Sequence, residues 1–176
     1  KAKVKRCSFD FGSIATNVFQ HLEQSKQTLF VVGAKEEELL IFLSKIKDKY
    51  PSLIVIGYSN GYMNDEEREN AIEKILTQSP TVVLVGMGAG LQERFLLDLQ
   101  CKGFNGTGFT CGGFIRQEAT STSDYYPYYV NRLNLRFLYR MYKEPHTINR
   151  YLFNYPLNLM TFLSLYFNKE ITLSLS

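Results

Sequence analysis

The chain has 176 residues, 45% hydrophobic and 21% charged, enough for one domain with a real core and too apolar for disorder. A formal net charge of +3 is too small to argue for nucleic acid, and no apolar run approaches the ~18 residues that mark a membrane span. Cys7, Cys101 and Cys111 are widely spaced, with no Cys-x-x-Cys pair and only two histidines; this excludes a disulfide scaffold, argues against a metal site and leaves reduced thiols.

In chain order, TLFVVGA (28–34) is a short apolar run rich in β-branched residues and closed by Gly33, the pattern of a buried strand. KEEELLIFLSKIKDKYP (35–51) sets Leu39, Leu40, Leu43 and Ile46 at helical spacing and ends at Pro51. LIVIGYSNGY (53–62) reads as a second buried strand running into a turn at Asn60-Gly61. NDEERENAIEKILTQ (64–78) opens with Asn64 as an N-cap and with acids that suit the helix dipole. TVVLVGMGAG (81–90) is a third strand, LQERFLLDLQCKG (91–103) a third helix, and GFTCGG (108–113) a fourth strand. Strands alternate with helices and are apolar throughout, which predicts an α/β, Rossmann-like parallel sheet with helices on both faces.

After residue 124 the character changes. Residues 1–124 form the expected α/β domain and 125–176 a helical appendage rich in aromatics and punctuated by Pro127, Pro145 and Pro156. Arg132, Arg136, Arg140, Lys143 and Arg150 make this segment basic against a single acid, Glu144. Leu157, Leu159, Met160, Phe162, Leu163, Leu165 and Phe167 then crowd one short run. That run is too short to span a bilayer; it suits either the membrane interface or packing on the protein's own core or on a second subunit.

In an open parallel sheet the ligand crevice lies beyond the carboxyl ends of the strands. Three turns should meet there: GAKEE (33–37), GYSNGY (57–62) and GMGAGLQE (86–93). Glycines let backbone approach a phosphate, and helix N-termini offer N–H groups and a positive dipole end, although glycines also simply close tight turns. Leu91 stands where a dinucleotide fingerprint needs its last glycine, and there is no Lys-Ser/Thr pair for a P-loop. Glu93 suits the helix dipole. Gln92 offers a donor and an acceptor for a sugar hydroxyl, an acetamido group or a phosphate oxygen, at a first-turn position where Ala should leave the fold intact.

At these residues the sequence resembles the WecG/TagA/CpsF glycosyltransferases. The elements that carry the likeness are VVGAKEEELLIFLSKIKDKYPSLIVIGYSNGY, VVLVGMGAGLQERFLLD and LYRMYKEPHTINRY, in the family's order from about Arg6 to Tyr151; Q-E after V-G-x-G is the most specific of them. The resemblance implies an inverting, metal-independent transfer without a cofactor, from a UDP donor, usually UDP-N-acetylmannosamine, to an undecaprenyl-diphosphate-linked sugar. It implies a peripheral place at the cytoplasmic membrane surface, no nucleic acid, and leaves a homo-oligomer open. By position it assigns donor-site roles to Arg6, Asp10, Gly33, Asn60, Gly61, Tyr62, Gly86, Gly88, Gln92 and Glu93, and diphosphate-covering roles to Arg140 and Arg150. Thr147, Arg116 and Arg136 depart from the family pattern and point to a benign surface exchange or to a different donor, such as a uronate or a neutral hexose. The family's catalytic aspartate belongs to a segment ahead of Lys1. The expectation is therefore a fragment that binds donor and turns it over poorly, with Asp10 orienting the sugar and serving as the fallback base. A UDP-sugar or phosphate-binding module without catalysis is the alternative reading.

Overall fold

A computed structural model describes residues 7–121, 128–133, 135–143, 145 and 148–167, without the side chains of Tyr128, Asn131, Arg136, Arg140, Arg150, Tyr151, Tyr166 and Phe167. The chain divides into two compact units, Lys1–Tyr125 and Tyr126–Ser176.

In the first unit the elements run α1 (Ala15–Gln24), β1 (Thr28–Gly33), α2 (Glu36–Lys49), β2 (Ile54–Ser59), α3 (Asp65–Gln78), β3 (Val82–Gly86), α4 (Leu91–Cys101), β4 (Thr107–Thr110) and α5 (Phe114–Thr120). All strand pairs are parallel, in the order β2-β1-β3-β4. From β1 the chain moves outward to β2, then crosses back to place β3 on β1's other side. The switch point of the sheet therefore lies between β1 and β3, where an open α/β sheet leaves a crevice.

The two central strands are buried on both faces because successive side chains point to opposite sides. Leu29 and Val31 of β1 join Val82 and Leu84 of β3 under α1 (Phe19, Leu22), α2 (Leu39, Phe42, Ile46) and α5 (Phe114, Ile115). Phe30 and Val32 join Val83 and Val85 under α3 (Ala71, Ile72, Ile75) and α4 (Phe95, Leu99). This is the α/β, Rossmann-like arrangement that the apolar runs predict.

Two features differ from the sequence reading. The expected buried strand at 53–62 is β2, an edge strand whose residues are half-buried and whose Ile54 is 39% exposed. An apolar run does not say whether it will have one neighbour or two. Helices α1 and α5 have no counterpart among the predicted elements. In α1 only Ala15, Phe19 and Leu22 are buried, while α5 is just seven residues long and follows two glycines. The predicted cap is present: Asn64 Oδ1 accepts the Glu67 N–H at 2.9 Å, and Glu67 Oε2 accepts the Asn64 N–H at 2.8 Å.

The second unit contains α6 (Tyr128–Arg132), α7 (Arg136–Lys143), a π-helical turn (Arg150–Asn154) and α8 (Tyr155–Phe167). Pro156 is the second residue of α8, directly after the π-helical turn. No helix among the described residues is long and apolar enough to cross a membrane.

Packing between the central strands sets the tightest constraint. Gly33 has φ +148°, and a Cβ placed there would stand 2.5 Å from the Gly86 carbonyl oxygen. We expect Gly33→Ala to cost at least about 2 kcal/mol, through both backbone strain and strand separation. Thermal unfolding checks this; a melting temperature within about 2 °C of the parent would refute it.

Candidate functional site

The turns at the carboxyl edge are stitched into one seam. Gly61 N–H donates to Ala34 O at 2.7 Å, and Ala34 N–H donates to Gly86 O at 3.3 Å. One strand further on, Cys111 N–H donates to Val85 O at 2.8 Å. Gly61 can approach because it has no Cβ; one would stand 2.8 Å from Gly33 Cα. The Asn60 side chain folds the same turn by accepting the Tyr62 N–H at 3.0 Å, and it leaves the Tyr62 ring exposed. Thus Gly33, Asn60, Gly61, Tyr62 and Gly86, expected from sequence to share a site, are brought together by main-chain hydrogen bonds.

The β3–α4 turn is the open part of this edge. Gly88 and Gly90 have φ +86° and +87°, and a Cβ at either would meet nothing within 4 Å. Glycine is needed there for the backbone conformation alone. The space beside the turn is free to take a ligand next to the first turn of α4.

Gln92 and Glu93 behave differently from the sequence expectation. Gln92 is only 7% exposed. Its Oε1 accepts the Gly112 N–H at 2.9 Å and its Nε2 donates to Glu93 Oε1 at 2.8 Å. Glu93 Oε2 accepts the Gly90 N–H at 2.6 Å. The Q-E pair is therefore a strut: it caps α4 and ties the β3–α4 turn to the β4–α5 turn. A first-turn position tolerates Ala when it faces solvent; here it is buried and holds a neighbouring N–H, so the expected neutrality of Ala does not apply. One Nε2 hydrogen remains for a ligand. The bond from Gln92 is the main reason the Glu93 carboxyl is held below its ordinary value of 4.5, aided by main-chain donors at Glu93 and Gly90 and opposed by slight burial.

Asp10 precedes α1. The far end of α1 enters β1 through Ser25–Gln27. Ser8 Oγ–H donates to Asp10 Oδ2 at 2.5 Å, and the Asp10 carbonyl accepts N–H groups of Ser13 (3.0 Å) and Ala15 (3.1 Å). The flanking rings anchor it: Phe9 lies 5.8 Å and Phe11 5.2 Å from Phe114, which starts α5 directly after Gly113. Lys49 Nζ sits 3.7 Å from the centre of the Phe11 ring.

Arg6 and the side chains of Arg140 and Arg150 lie outside the described residues. Arg116, singled out as a departure, pairs with Glu38 of α2 at 3.5 Å. Burial pushes the Cys111 thiol up to about 12, so it is neutral near pH 7 and packs under Gly86 rather than acting as a nucleophile. Among the described residues no group of three or more His, Cys, Asp or Glu could hold a metal ion. A cleft of about 550 Å³ lies elsewhere, along Asn17, Val18 and His21 of α1 beside Thr81, Val82 and Thr107. It contains none of the residues of the glycine turns. Sequence reading missed Ala34, Gly112 and Phe114; Gly112 in the Gly112-Gly113 pair was the one legible hint.

A parallel sheet wound from both sides, with a glycine-lined, strut-braced edge at its switch point, defines an α/β protein of Rossmann-like architecture. Residues 8–171 match the glycosyl transferase WecG/TagA/CpsF family. The chain belongs to that family of glycosyltransferases. It is 33% identical over 163 residues to a UDP-Gal:alpha-D-GlcNAc-diphosphoundecaprenol beta-1,4-galactosyltransferase of Shigella boydii, a match covering 92% of this chain and 68% of that protein. It is 28% identical over 140 residues to an N-acetylglucosaminyldiphosphoundecaprenol N-acetyl-beta-D-mannosaminyltransferase of Bacillus subtilis (strain 168), covering 73% of this chain and 51% of the relative. A protein of the same description from Bacillus spizizenii is 32% identical over 81 residues, 46% of this chain and 31% of its own length. The matches thus span about two thirds of the first relative, about half of the second and under a third of the third.

Two substitutions test the strut. Gln92→Ala leaves Gly112 N–H without its acceptor and should destabilise the protein by about 1–3 kcal/mol. Glu93→Gln removes the group whose folded pKa is depressed. Its contribution is present above the unfolded value near 4.5 and is lost as pH falls through the lower folded value. Unfolding midpoints measured from pH 7 to pH 3 should therefore converge between parent and Glu93→Gln at the acid end. A gap that stays constant or widens below pH 4 would contradict this role.

Proposed function

We propose that this chain transfers a hexosyl group from a UDP-sugar to an N-acetylglucosamine carried on diphosphoundecaprenol. The observation that carries the reading is the likeness over 92% of the chain to a galactosyltransferase named for that acceptor, together with the open glycine turn beside α4. The two kinds of relative differ in donor and share the acceptor: one is named for UDP-Gal, the other for N-acetyl-beta-D-mannosamine. The donor assigned here is a neutral hexose, with N-acetylmannosamine the second choice.

On this reading the diphosphate rests against the β1–α2 and β3–α4 turns, where helix N-termini and main-chain N–H groups meet the leaving group's charge. Tyr62 offers an exposed ring for stacking on uracil or sugar, and the remaining Gln92 N–H a single bond to the donor. Asp10, fixed by Ser8 and by the rings of Phe9 and Phe11, orients the sugar. Products with a β linkage from an α-linked UDP-sugar require inversion, hence a base for the acceptor hydroxyl on the face opposite the leaving UDP.

The assay is transfer from UDP-galactose and from UDP-N-acetylmannosamine to a diphosphoundecaprenol-linked N-acetylglucosamine, with and without a chelator. Galactose transfer that persists in chelator and falls at least about tenfold in Asp10→Asn is the expected result. Failure to bind either UDP-sugar would defeat the proposal.

We also propose that the second unit meets the membrane carrying this acceptor. α8 has no charged residue, and its exposed Leu157, Leu159, Met160 and Leu163 stand among the uncharged polar Asn158, Thr161 and Ser164. Thirteen residues rise only about 20 Å, short of the ~30 Å hydrocarbon core, so the helix lies in the interface. Leu159→Asp with Met160→Asp should reduce sedimentation with anionic liposomes several-fold. Unchanged sedimentation would assign α8 to packing within the protein or its oligomer.

A further inference from the structure

We infer that Lys45 is a positioning residue for the crevice: its ammonium clamps the end of α5, and α5 holds the β3–α4 turn, the β4–α5 turn and the Asp10 turn in register. Lys45 lies half-buried on α2. Its Nζ donates to the carbonyl oxygens of Glu118 at 2.6 Å, Ala119 at 3.3 Å and Ser121 at 2.5 Å. An ammonium has three donors, and here all of them go to main-chain carbonyls at one helix end. Those carbonyls cluster at the C-terminal end of α5, where the helix dipole favours a cation. Seven residues are too few for a helix to persist by itself, so α5 depends on what grips it.

The opposite end of α5 shows what the grip serves. Gly112 N–H reaches Gln92 Oε1, and the Ile115 side chain and Gly112 carbonyl lie against Gly86, about 3 Å from where its Cβ would stand. Phe114 takes the rings on both sides of Asp10. On the α2 side, Phe42 meets Phe114 at 5.6 Å and Glu38 pairs with Arg116. α2 therefore grips α5 at both ends, and a shift of α5 moves the Gln92 strut and the Asp10 turn together. Nothing in the sequence marks Lys45 among the lysines of α2: Lys47, two residues on, is exposed and bonds only the Pro51 carbonyl at 2.6 Å.

The functional half of this inference rests on the proposed UDP-sugar site; the structural half does not. Lys45→Met keeps the aliphatic stem and removes the donors, and Lys45→Gln is a milder second variant should the first fold poorly. Amide hydrogen exchange by NMR on the full chain should accelerate at Gly112, Gln117 and Ser121 by about tenfold, equivalent to about 1.4 kcal/mol. Amides of Val83 and Leu84 should change by less than about twofold. UDP affinity, measured by titration, should fall several-fold, Lys45→Arg should restore it in part, and Lys47→Met should change neither quantity. Unchanged protection at Gln117 and Ser121, or equal acceleration across the sheet, would overturn the clamp. Loosened α5 with unaltered UDP affinity would overturn its link to the crevice. If the parent itself binds no UDP, the proposed function fails instead, and exchange at Gly112 still decides whether the clamp reaches the strut.

Discussion

The carboxyl edge of this sheet depends on how closely two backbones pass. Gly33 and Gly86 are register partners in β1 and β3, and no side chain fits between them. Because they touch, Ala34 N–H reaches the Gly86 carbonyl, Gly61 N–H reaches the Ala34 carbonyl, and the turns after β1, β2 and β3 form one surface. A bulkier residue at Gly33 would part the strands at the switch point, and one at Gly86 would press on Cys111 and Ile115. The requirement for glycine is thus geometric at Gly33, Gly61 and Gly86, and conformational at Gly88 and Gly90, which face open space.

A second layer of polar bonds braces that surface from behind. Gln92 and Glu93 engage all four of their oxygen and nitrogen termini, on one another and on the turns at Gly90 and Gly112. A motif that looks like ligand chemistry in one dimension is in large part the scaffold that gives the ligand site its shape. Its partner is α5, whose apolar side enters the same core as α2 and which follows the turn where Gly112 N–H donates to Gln92. Loss of the strut acts on binding through geometry as well as through a missing contact.

The two units divide the physical work. The first buries its hydrophobic residues in two cores, one on each face of the sheet. The second keeps a run of large apolar side chains exposed, with α8 apolar over most of its circumference. An uncharged helix of that kind is stable only where water is absent from most of its surface.

Length, hydrophobic period and glycine punctuation were enough to place β1, α2, β2, α3, β3, α4 and β4, to make the sheet parallel and to gather the glycine turns at its carboxyl edge. Each of those properties follows from local sequence spacing. The cap at Asn64 was legible for the same reason, and the ordered V-G-x-G-x-x-x-Q-E and neighbouring elements carried the family. Tertiary structure alone decided that β2 is an edge strand, since an apolar run records a tendency to be buried and not the number of its neighbours. It decided that Gln92 points inward to Gly112, twenty residues on, and that Lys45 spends its charge on carbonyls more than seventy residues away. These bonds join residues remote in sequence, and side-chain spacing along one helix cannot say which turn of another will end beside it.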